Sequence, residues 1–498
     1  MPVPWDLGIK RREASDGGAI EVGAGPPDAT GPPARDQWFA RRALILLGIV
    51  YLVAQLGLFT LSRPPRWDEA VYLSQVIPGM EAVFFLASRS RGISLLVAPV
   101  TSLGGSIGDV RLYLTVLSAV AMTATYRTWV PVVGIAAPLA ALVFSFSWLG
   151  LVSGAEVMPN YWAAILGLAA AGLTARRLQG EGIRYIVLAS LVLAAMALVR
   201  PTDATVLAGV IVVIVLSFRR DLWGILMPLG LGLVLGWLPW VVEMSVRFDG
   251  PANAVRAAAA GRHFASVQVT ENLIRHATYV GGKGSGVPIA GMMWWGLIIT
   301  MAIVALALRR EGEARSAMLL CGLGAVAFAA GYIVFVPALP RFLLPAYAFA
   351  SVPFAAGCVS LLRGGTASRI AGGTVLVLMI PWVIWQSTVA DDQERGSGSH
   401  VAFRVGTTIR ERAGGRPCYF VSPREYPQVA VASRCEGERG SGAPSAAEVE
   451  ELQRRGREVF VILLKRAPRA SPLSSLTPVR FIGANRTWFL YHLPTSTG

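Results

Sequence analysis

The sequence has 498 residues, is 54% hydrophobic and 15% charged, and carries a formal net charge of +15. A mean hydropathy of +0.54 and long apolar runs exclude an ordinary soluble domain, because a bilayer core takes about 20 apolar residues per helix. The basic charge does not point to nucleic acid: it sits in short clusters between apolar runs, with no basic patch carrying interleaved aromatic rings.

Residues 1–40 are Gly, Pro and charge with no apolar core before Ala43, and read as a disordered cytoplasmic tail. Hydropathy then predicts a polytopic α-helical membrane unit over residues 41–390, with about eleven transmembrane helices. The spans fall near 43–61, 110–127, 130–150, 160–175, 185–199, 204–218, 222–242, 290–308, 316–336, 342–362 and 371–389. Arg41-Arg42, Arg127, Arg176-Arg177 with Arg184, Arg219-Arg220, Arg309-Arg310 with Arg315, and Arg363 with Arg369 occupy every second connection. By the positive-inside rule those connections are cytoplasmic. The expectation is a multi-pass cell-membrane protein with its N-terminus inside and its C-terminus outside.

The other connections then face outward and carry the candidate chemistry. The first, from Ser62 to about Asp109, contains Arg66-Trp67-Asp68-Glu69-Ala70-Val71-Tyr72, and later Arg89 and Arg91. Its apolar piece Gly92–Leu103 is too short to span and reads as interfacial or re-entrant. A short connection holds Glu156-Val157-Met158-Pro159-Asn160, and another Arg200-Pro201-Thr202-Asp203. A second long loop, Glu243–Ala290, carries Arg262 and His263. Pro340-Arg341-Phe342-Leu343-Leu344-Pro345 precedes the tenth span.

From residue 391 to 498 the composition becomes that of a small extracytoplasmic α/β domain. Helical patterning marks Val401–Arg412 and Ala446–Arg455. Cys418–Val421, Val459–Leu464 and Thr487–His492 read as strands, and Gly437–Pro444 as a Gly/Ser loop. Cys418 and Cys435 are candidates for a disulfide in an oxidising compartment, with two free thiols as the alternative.

Asp68 and Glu69 are the leading catalytic candidates. Carboxylates at a membrane edge are costly and mark function by default, as a general base with a metal ligand or orienting group beside it. The plain alternative is a solvated acidic pair. Glu156 and Asn160, four apart, share a helix face if their span begins early; a cap and a solvated glutamate explain them equally well. Arg89, Arg91, Arg200, Arg262, His263 and Arg341 supply cations on the outer side, and guanidinium is the better fork for phosphate oxygens. Each alone is also explained by snorkelling to headgroups, and Arg200 by an ion pair with Asp203. Gly281–Gly286 lacks P-loop spacing, and the histidines and cysteines show no zinc spacing. Gly232 and Gly236 form a GxxxG pair of the kind that packs helices closely.

With Trp67-Asp68-Glu69-Ala70-x-Tyr72 in its first outer loop, the chain resembles the GT-C membrane glycosyltransferases. The branch it is most similar to holds the protein O-mannosyltransferases and the bacterial aminoarabinose transferases. Arg111, Glu156–Asn160, Leu198–Thr202 and Arg341–Pro345 follow in the family's order, over roughly residues 40–390. The resemblance implies an inverting transfer of sugar from a polyprenyl-phosphate carrier to a glycan, lipid or protein acceptor at the outer face of the bilayer, in cell-envelope glycan synthesis. It carries the first-loop acid to Asp68, with Glu69 beside it and a divalent metal as a possible helper. Asn160 stands where many relatives have an acid, which weakens a metal site. A family lysine late in the first loop has no counterpart except Arg89 or Arg91. The alternative is a transporter or flippase for a lipid-linked anion, using the same arginines for binding and the carboxylates for ion coupling.

Overall fold

The computed structural model describes residues 32–58, 63–83, 89–218, 221–260, 269–270, 272–273, 279–280, 283–284, 299–306, 313–335, 340–395, 399–423, 425–440, 445–468, 471–483 and 487–493. In chain order its first helices are α1 (Ala34–Leu58), α2 (Trp67–Ser74), α3 (Gly92–Ser102), α4 (Ile107–Val133), α5 (Ala136–Ser145), α6 (Trp148–Ser153), α7 (Pro159–Leu178), α8 (Arg184–Val199), α9 (Pro201–Phe218), α10 (Leu222–Phe248) and α11 (Pro251–Ala260). Then come α12 (Glu313–Phe335), a 3-10 turn at Pro340–Leu343, α13 (Leu344–Leu362), α14 (Thr366–Arg395), α15 (Ser399–Ala413), α16 (Tyr426–Ser433) and α17 (Ala446–Arg454).

Seven helical stretches among the described residues are long and apolar enough to cross a membrane, in α1, α4, α9, α10, α12, α13 and α14. Shorter apolar helices, α3, α5 and α8, accompany them. The chain is thus a multi-pass helical membrane protein. The bundle is closed by close backbone approaches. A Cβ on Gly232 or Gly236 would come within 2.3 Å of the Ser190 or Ala194 carbonyl oxygen, so this GxxxG pair seats α10 on α8. Buried polar groups are paired across helices: Tyr51 Oη donates to the Gly150 carbonyl (2.7 Å), Gln55 Nε2 to Ser118 Oγ (3.1 Å) and Trp129 Nε1 to the Leu168 carbonyl (3.0 Å).

Three expectations change. The first helix begins at Ala34, inside the segment read as a tail, because Asp36 sits favourably in its first turn and Gln37 Oε1 accepts from Arg41 one turn on. The second span runs on to Val133 and turns at Gly134, whose φ of 61° an L side chain rarely adopts. The third, expected as one helix over 130–150, is broken into α5 and α6 where Ser147 caps a new start by accepting from the Gly150 N–H at 3.1 Å. Of the span expected at 290–308, only residues 299–306 are described, and they are helical.

The C-terminal unit is a five-stranded mixed sheet of β1 (Cys418–Ser422), β2 (Glu436–Arg439), β3 (Glu458–Leu463), β4 (Val479–Ile482) and β5 (Thr487–Leu493), in the order β2-β1-β3-β5-β4. The first three strands run parallel; β5 is antiparallel to both β3 and β4. Cys418 and Cys435 are joined in a disulfide. β2, α16 and β4 were not read from the sequence. β2 is Glu-Gly-Glu-Arg, without a β-branched residue, and its Gly437 lies against the Phe420 ring, where a Cβ would come within 2.6 Å of ring carbons. The boundary placed at residue 391 falls inside α14.

The two cores interlock. Val431 of α16 belongs to the core of the bundle, while Val83, from the segment after α2, belongs to the core of the C-terminal unit with Val405, Ile409 and Phe460. Between them lies α2.

Candidate active site

α2 begins after Pro64-Pro65 and is capped by its own sequence: Glu69 Oε2 accepts from the Arg66 backbone N–H at 2.9 Å. Successive residues of a helix point about 100° apart. Asp68 and Glu69 therefore face different surroundings and do not act as one acidic pair.

Glu69 turns inward and is fully buried. Arg111, near the start of α4, grips it with both arms, Nη1 to Oε1 at 2.5 Å and Nη2 to Oε2 at 2.9 Å, and the Val157 N–H donates to Oε1 at 2.8 Å. Arg111 Nη1 also donates to the Ala155 carbonyl at 2.7 Å. Burial pushes the Glu69 pKa up, but the Arg111 charge and these hydrogen bonds outweigh it and hold the carboxyl below the usual range. An anion so engaged ties the first loop to the Glu156 connection. Both of its oxygens are engaged, Oε1 by Arg111 and the Val157 N–H and Oε2 by Arg111 and the Arg66 N–H, in contrast to the partly exposed Asp68.

Asp68 turns outward and is partly exposed. Two cations from distant parts of the chain bracket it: Arg89 Nη2 donates to Oδ1 at 2.7 Å, and Arg341 Nη2 donates to Oδ2. The Arg89 guanidinium carbon lies 5.4 Å from the Trp67 ring centroid and 5.3 Å from that of Tyr72, a setting that strengthens a desolvated cation's hold. The Nε atoms of Arg89 and Arg341 are buried and have no hydrogen-bond partner among the described residues. Asn160, almost fully buried at the start of α7, donates from Nδ2 to the Arg341 carbonyl at 2.9 Å and so fixes the 3-10 turn that presents Arg341.

Arg200, between α8 and α9, adds a third cation. Its Nε lies 3.4 Å from Asp203 Oδ2, and its guanidinium carbon lies 4.9 Å and 5.3 Å from the stacked rings of Tyr332 and Phe342. Tyr332 Oη donates to Asp203 Oδ1, which holds the carboxylate that orients Arg200. Phe342 follows Arg341 directly, so the two arginines share one neighbourhood. Ser90 Oγ donates to the Val199 carbonyl, and a Cβ on Gly92 would come within 2.5 Å of Val199 Cα, so only glycine lets the Arg89–Arg91 strip lie against the end of α8.

The remaining candidates go elsewhere. Arg91 is spent on Glu243, by Nε at 2.8 Å and Nη2 at 2.6 Å, and on Gln75 Oε1 at 2.7 Å. It braces α2 and α10 and does not reach Asp68 through these contacts. Glu156 is buried between Arg63 (3.3 Å) and Arg66 (3.2 Å), neither of which was singled out in the sequence. Arg262 and His263 lie outside the described residues. Among the described residues no group of three or more His, Cys, Asp or Glu side chains could hold a metal ion, and each carboxylate here faces arginine, so the donor set does not fit a divalent cation.

No protein-family model matches the chain, and no curated protein sequence matches it. Solved structures do. The chain is similar to ArnT from Cupriavidus metallidurans bound to undecaprenyl phosphate, with TM-score 0.64 and 15% identity over 92% of this chain and 98% of that one. It is also similar to the archaeal oligosaccharyltransferase AglB from Archaeoglobus fulgidus in complex with an inhibitory peptide and a dolichol-phosphate (TM-score 0.53, 11% identity, 86% and 69% covered). The mycobacterial arabinofuranosyltransferase AftD matches at TM-score 0.50 and 14% identity, over 95% of this chain and 40% of AftD. At these identities the likeness establishes the fold, which is that of the GT-C membrane glycosyltransferases.

Proposed function

We propose that this protein transfers a sugar from a polyprenyl-phosphate carrier to a hydroxyl acceptor at the outer face of the cell membrane, as a step in building an envelope glycan. One observation carries the reading: a partly exposed carboxylate, Asp68, is bracketed by Arg89 and Arg341, with a third arginine, Arg200, held next to Phe342. The solved structures of the same fold support it, since ArnT was captured with undecaprenyl phosphate and AglB with dolichol-phosphate.

The chemistry follows from charge. As the carbon–oxygen bond to the carrier phosphate breaks, the phosphate takes the electron pair and gains a negative charge. Arg341, Arg89 and Arg200 would stabilise that charge in a site of low dielectric. Asp68 would accept the proton of the acceptor hydroxyl as its oxygen attacks the anomeric carbon, and one displacement by that oxygen inverts the centre. In the structure Asp68 occupies the guanidiniums that the phosphate needs. Donor binding would draw them away and leave the carboxylate free for the acceptor. Glu69, Asn160 and Glu156 act as positioning residues: Glu69 through Arg111, Asn160 on Arg341, and Glu156 on Arg63 and Arg66. With the arginine clusters of the opposite end placed in the cytoplasm, this site and the C-terminal unit lie outside.

The test is genetic and chemical together. A deletion strain should lose one defined sugar substituent from its envelope glycans by mass spectrometry. The wild-type gene should restore it, and an Asp68→Asn gene, expressed to the same level, should not. Restoration by Asp68→Asn would remove the carboxylate from the chemistry and favour transport of a lipid-linked anion.

A further inference from the structure

We infer that the C-terminal unit is part of the transfer machinery: Gln428 is a positioning residue for Asp68, and the Cys418–Cys435 bridge holds the helix that presents it. This rests on Asp68 as the base.

α16 is seated on α2. Gln428 is 1% exposed, and one orientation of its amide satisfies both ends: the oxygen accepts from the Trp67 backbone N–H at 3.1 Å, and the nitrogen donates to the Glu425 carbonyl at 3.0 Å. Trp67 opens α2, where the first N–H groups have no partner within the helix. One of these is satisfied from within the loop, when Glu69 accepts from Arg66. The next, on Trp67, donates to a side chain from more than 350 residues away in sequence. The residue that follows Trp67 is Asp68. Fixing the Trp67 N–H therefore fixes the backbone that aims the base.

α16 is itself clamped. Cys418 opens β1 and Cys435 lies two residues beyond the end of α16, so the disulfide closes a segment containing the whole helix. Both flanks of α16, Glu425 (φ 51°) and Arg434 (φ 59°), adopt the left-handed conformation that non-glycine residues avoid, and need such restraint. On its far side α16 is pressed against Gly406 of α15, where a Cβ would come within 2.6 Å of Ala432 Cβ. On its near side Val431 enters the bundle core, and Val83 enters the core of the C-terminal unit in return. The C-terminal unit thus serves as a brace that reaches the start of α2 through Gln428.

The test compares full-length Gln428→Leu and Gln428→Glu with wild type in lipid nanodiscs. Hydrogen–deuterium exchange over peptides covering residues 66–72 reads the brace without relying on activity. Transfer assayed at varied donor concentration separates kcat from KM. In Gln428→Leu, exchange at the start of α2 should rise roughly tenfold or more. kcat should fall by a similar factor while donor KM stays within about twofold. Gln428→Glu keeps an acceptor oxygen toward the Trp67 N–H and should restore slow exchange. Reducing the disulfide in wild type should raise the same peptide's exchange. Unchanged exchange in Gln428→Leu overturns the proposal, as does fast exchange with undiminished kcat. If wild type proves to have no transferase activity, the Asp68 reading fails, and exchange alone still decides whether Gln428 holds α2.

Discussion

The two ends of the bundle use the same residue for opposite purposes. At one end Arg363 Nη2 donates to Asp36 at 2.8 Å, Arg177 Nη2 to Asp221 at 2.5 Å, and Arg176 to Glu181 at 2.8 and 2.6 Å. Arg363 is 61% exposed and the Asp221 and Glu181 side chains 52% and 30%, so each of these pairs keeps one partner well in contact with water. At the other end Arg89, Arg111 and Arg341 have side chains only 7%, 3% and 21% exposed, and they join residues up to 273 positions apart. Arginine near water marks a side of the membrane. Arginine withdrawn from water and locked onto carboxylates builds a site.

The largest effect that would break this contrast is at Asp68. Asp68→Asn keeps shape and can still accept a hydrogen bond but cannot take a proton, so the transfer rate should fall by about 10²–10⁴. Donor affinity should hold or rise, because the carboxylate that competes with phosphate for Arg89 and Arg341 is gone. Single-turnover kinetics with pre-bound donor separates the two. A fall in donor affinity equal to the fall in rate would make Asp68 a binding residue.

Next comes Arg111. Arg111→Met leaves Glu69 buried without its partner, and breaking a buried pair in this way costs about 3–5 kcal/mol. Thermal unfolding in detergent should show a clear loss of stability, with expression falling in parallel. The pH dependence has a definite sign. The Glu69 pKa is depressed in the fold, so the pair's contribution is fully present above the ordinary glutamate value of about 4.3 and is lost as pH falls from there towards the lower folded value. Glu69→Gln should flatten that acid limb. An unchanged limb would assign acid sensitivity to another carboxylate.

Much of this was legible in the sequence, and what was not had a physical cause. Apolar length gave the helices, because burial in lipid demands it. The alternation of arginine clusters predicted the basic end, because that signal needs only local composition. Asp68, Arg89, Arg200 and Arg341 could be singled out as charges at membrane edges. Their pairing could not, since 273 residues separate Arg341 from Asp68 and no local period encodes that contact. Asp68 and Glu69 looked like one acidic pair; helix geometry divides them between an open and a closed environment. Arg63 and Arg66 went unnoticed because they precede a helix as ordinary loop charges, and only the buried Glu156 shows their use. Gln428 gave no signal at all, being one amide in a short helix the sequence did not reveal.

Arg341→Ala tests the binding half of the site. A charge-assisted contact with phosphate is worth about 1.5–3 kcal/mol, so donor affinity should fall by roughly ten- to a hundredfold. Acceptor KM at saturating donor should change little. Arg341→Lys should recover part of the loss, because an ammonium keeps the charge without the two-armed geometry. Equal losses for donor and acceptor would instead assign Arg341 to the shape of the 3-10 turn that Asn160 fixes.

The smallest effect is predicted at the opposite end, and its smallness is the point. Arg363→Ala removes the 2.8 Å pair with Asp36 at the start of α1. The pair joins two distant helices just as Arg341–Asp68 does, so if connectivity alone gave arginines their weight, the two substitutions would be comparable. Exposure says otherwise. At 61% exposed the guanidinium keeps most of its hydration, and solvated pairs of this kind contribute about 0–1 kcal/mol. Donor affinity and kcat for Arg363→Ala should match wild type within about twofold, with a small change in unfolding temperature that vanishes at high salt. A tenfold loss of transfer would mean that the two ends are coupled through α13, which begins beside Arg341 and ends at Leu362, next to Arg363. The exposed end could then no longer be treated as a marker of orientation alone.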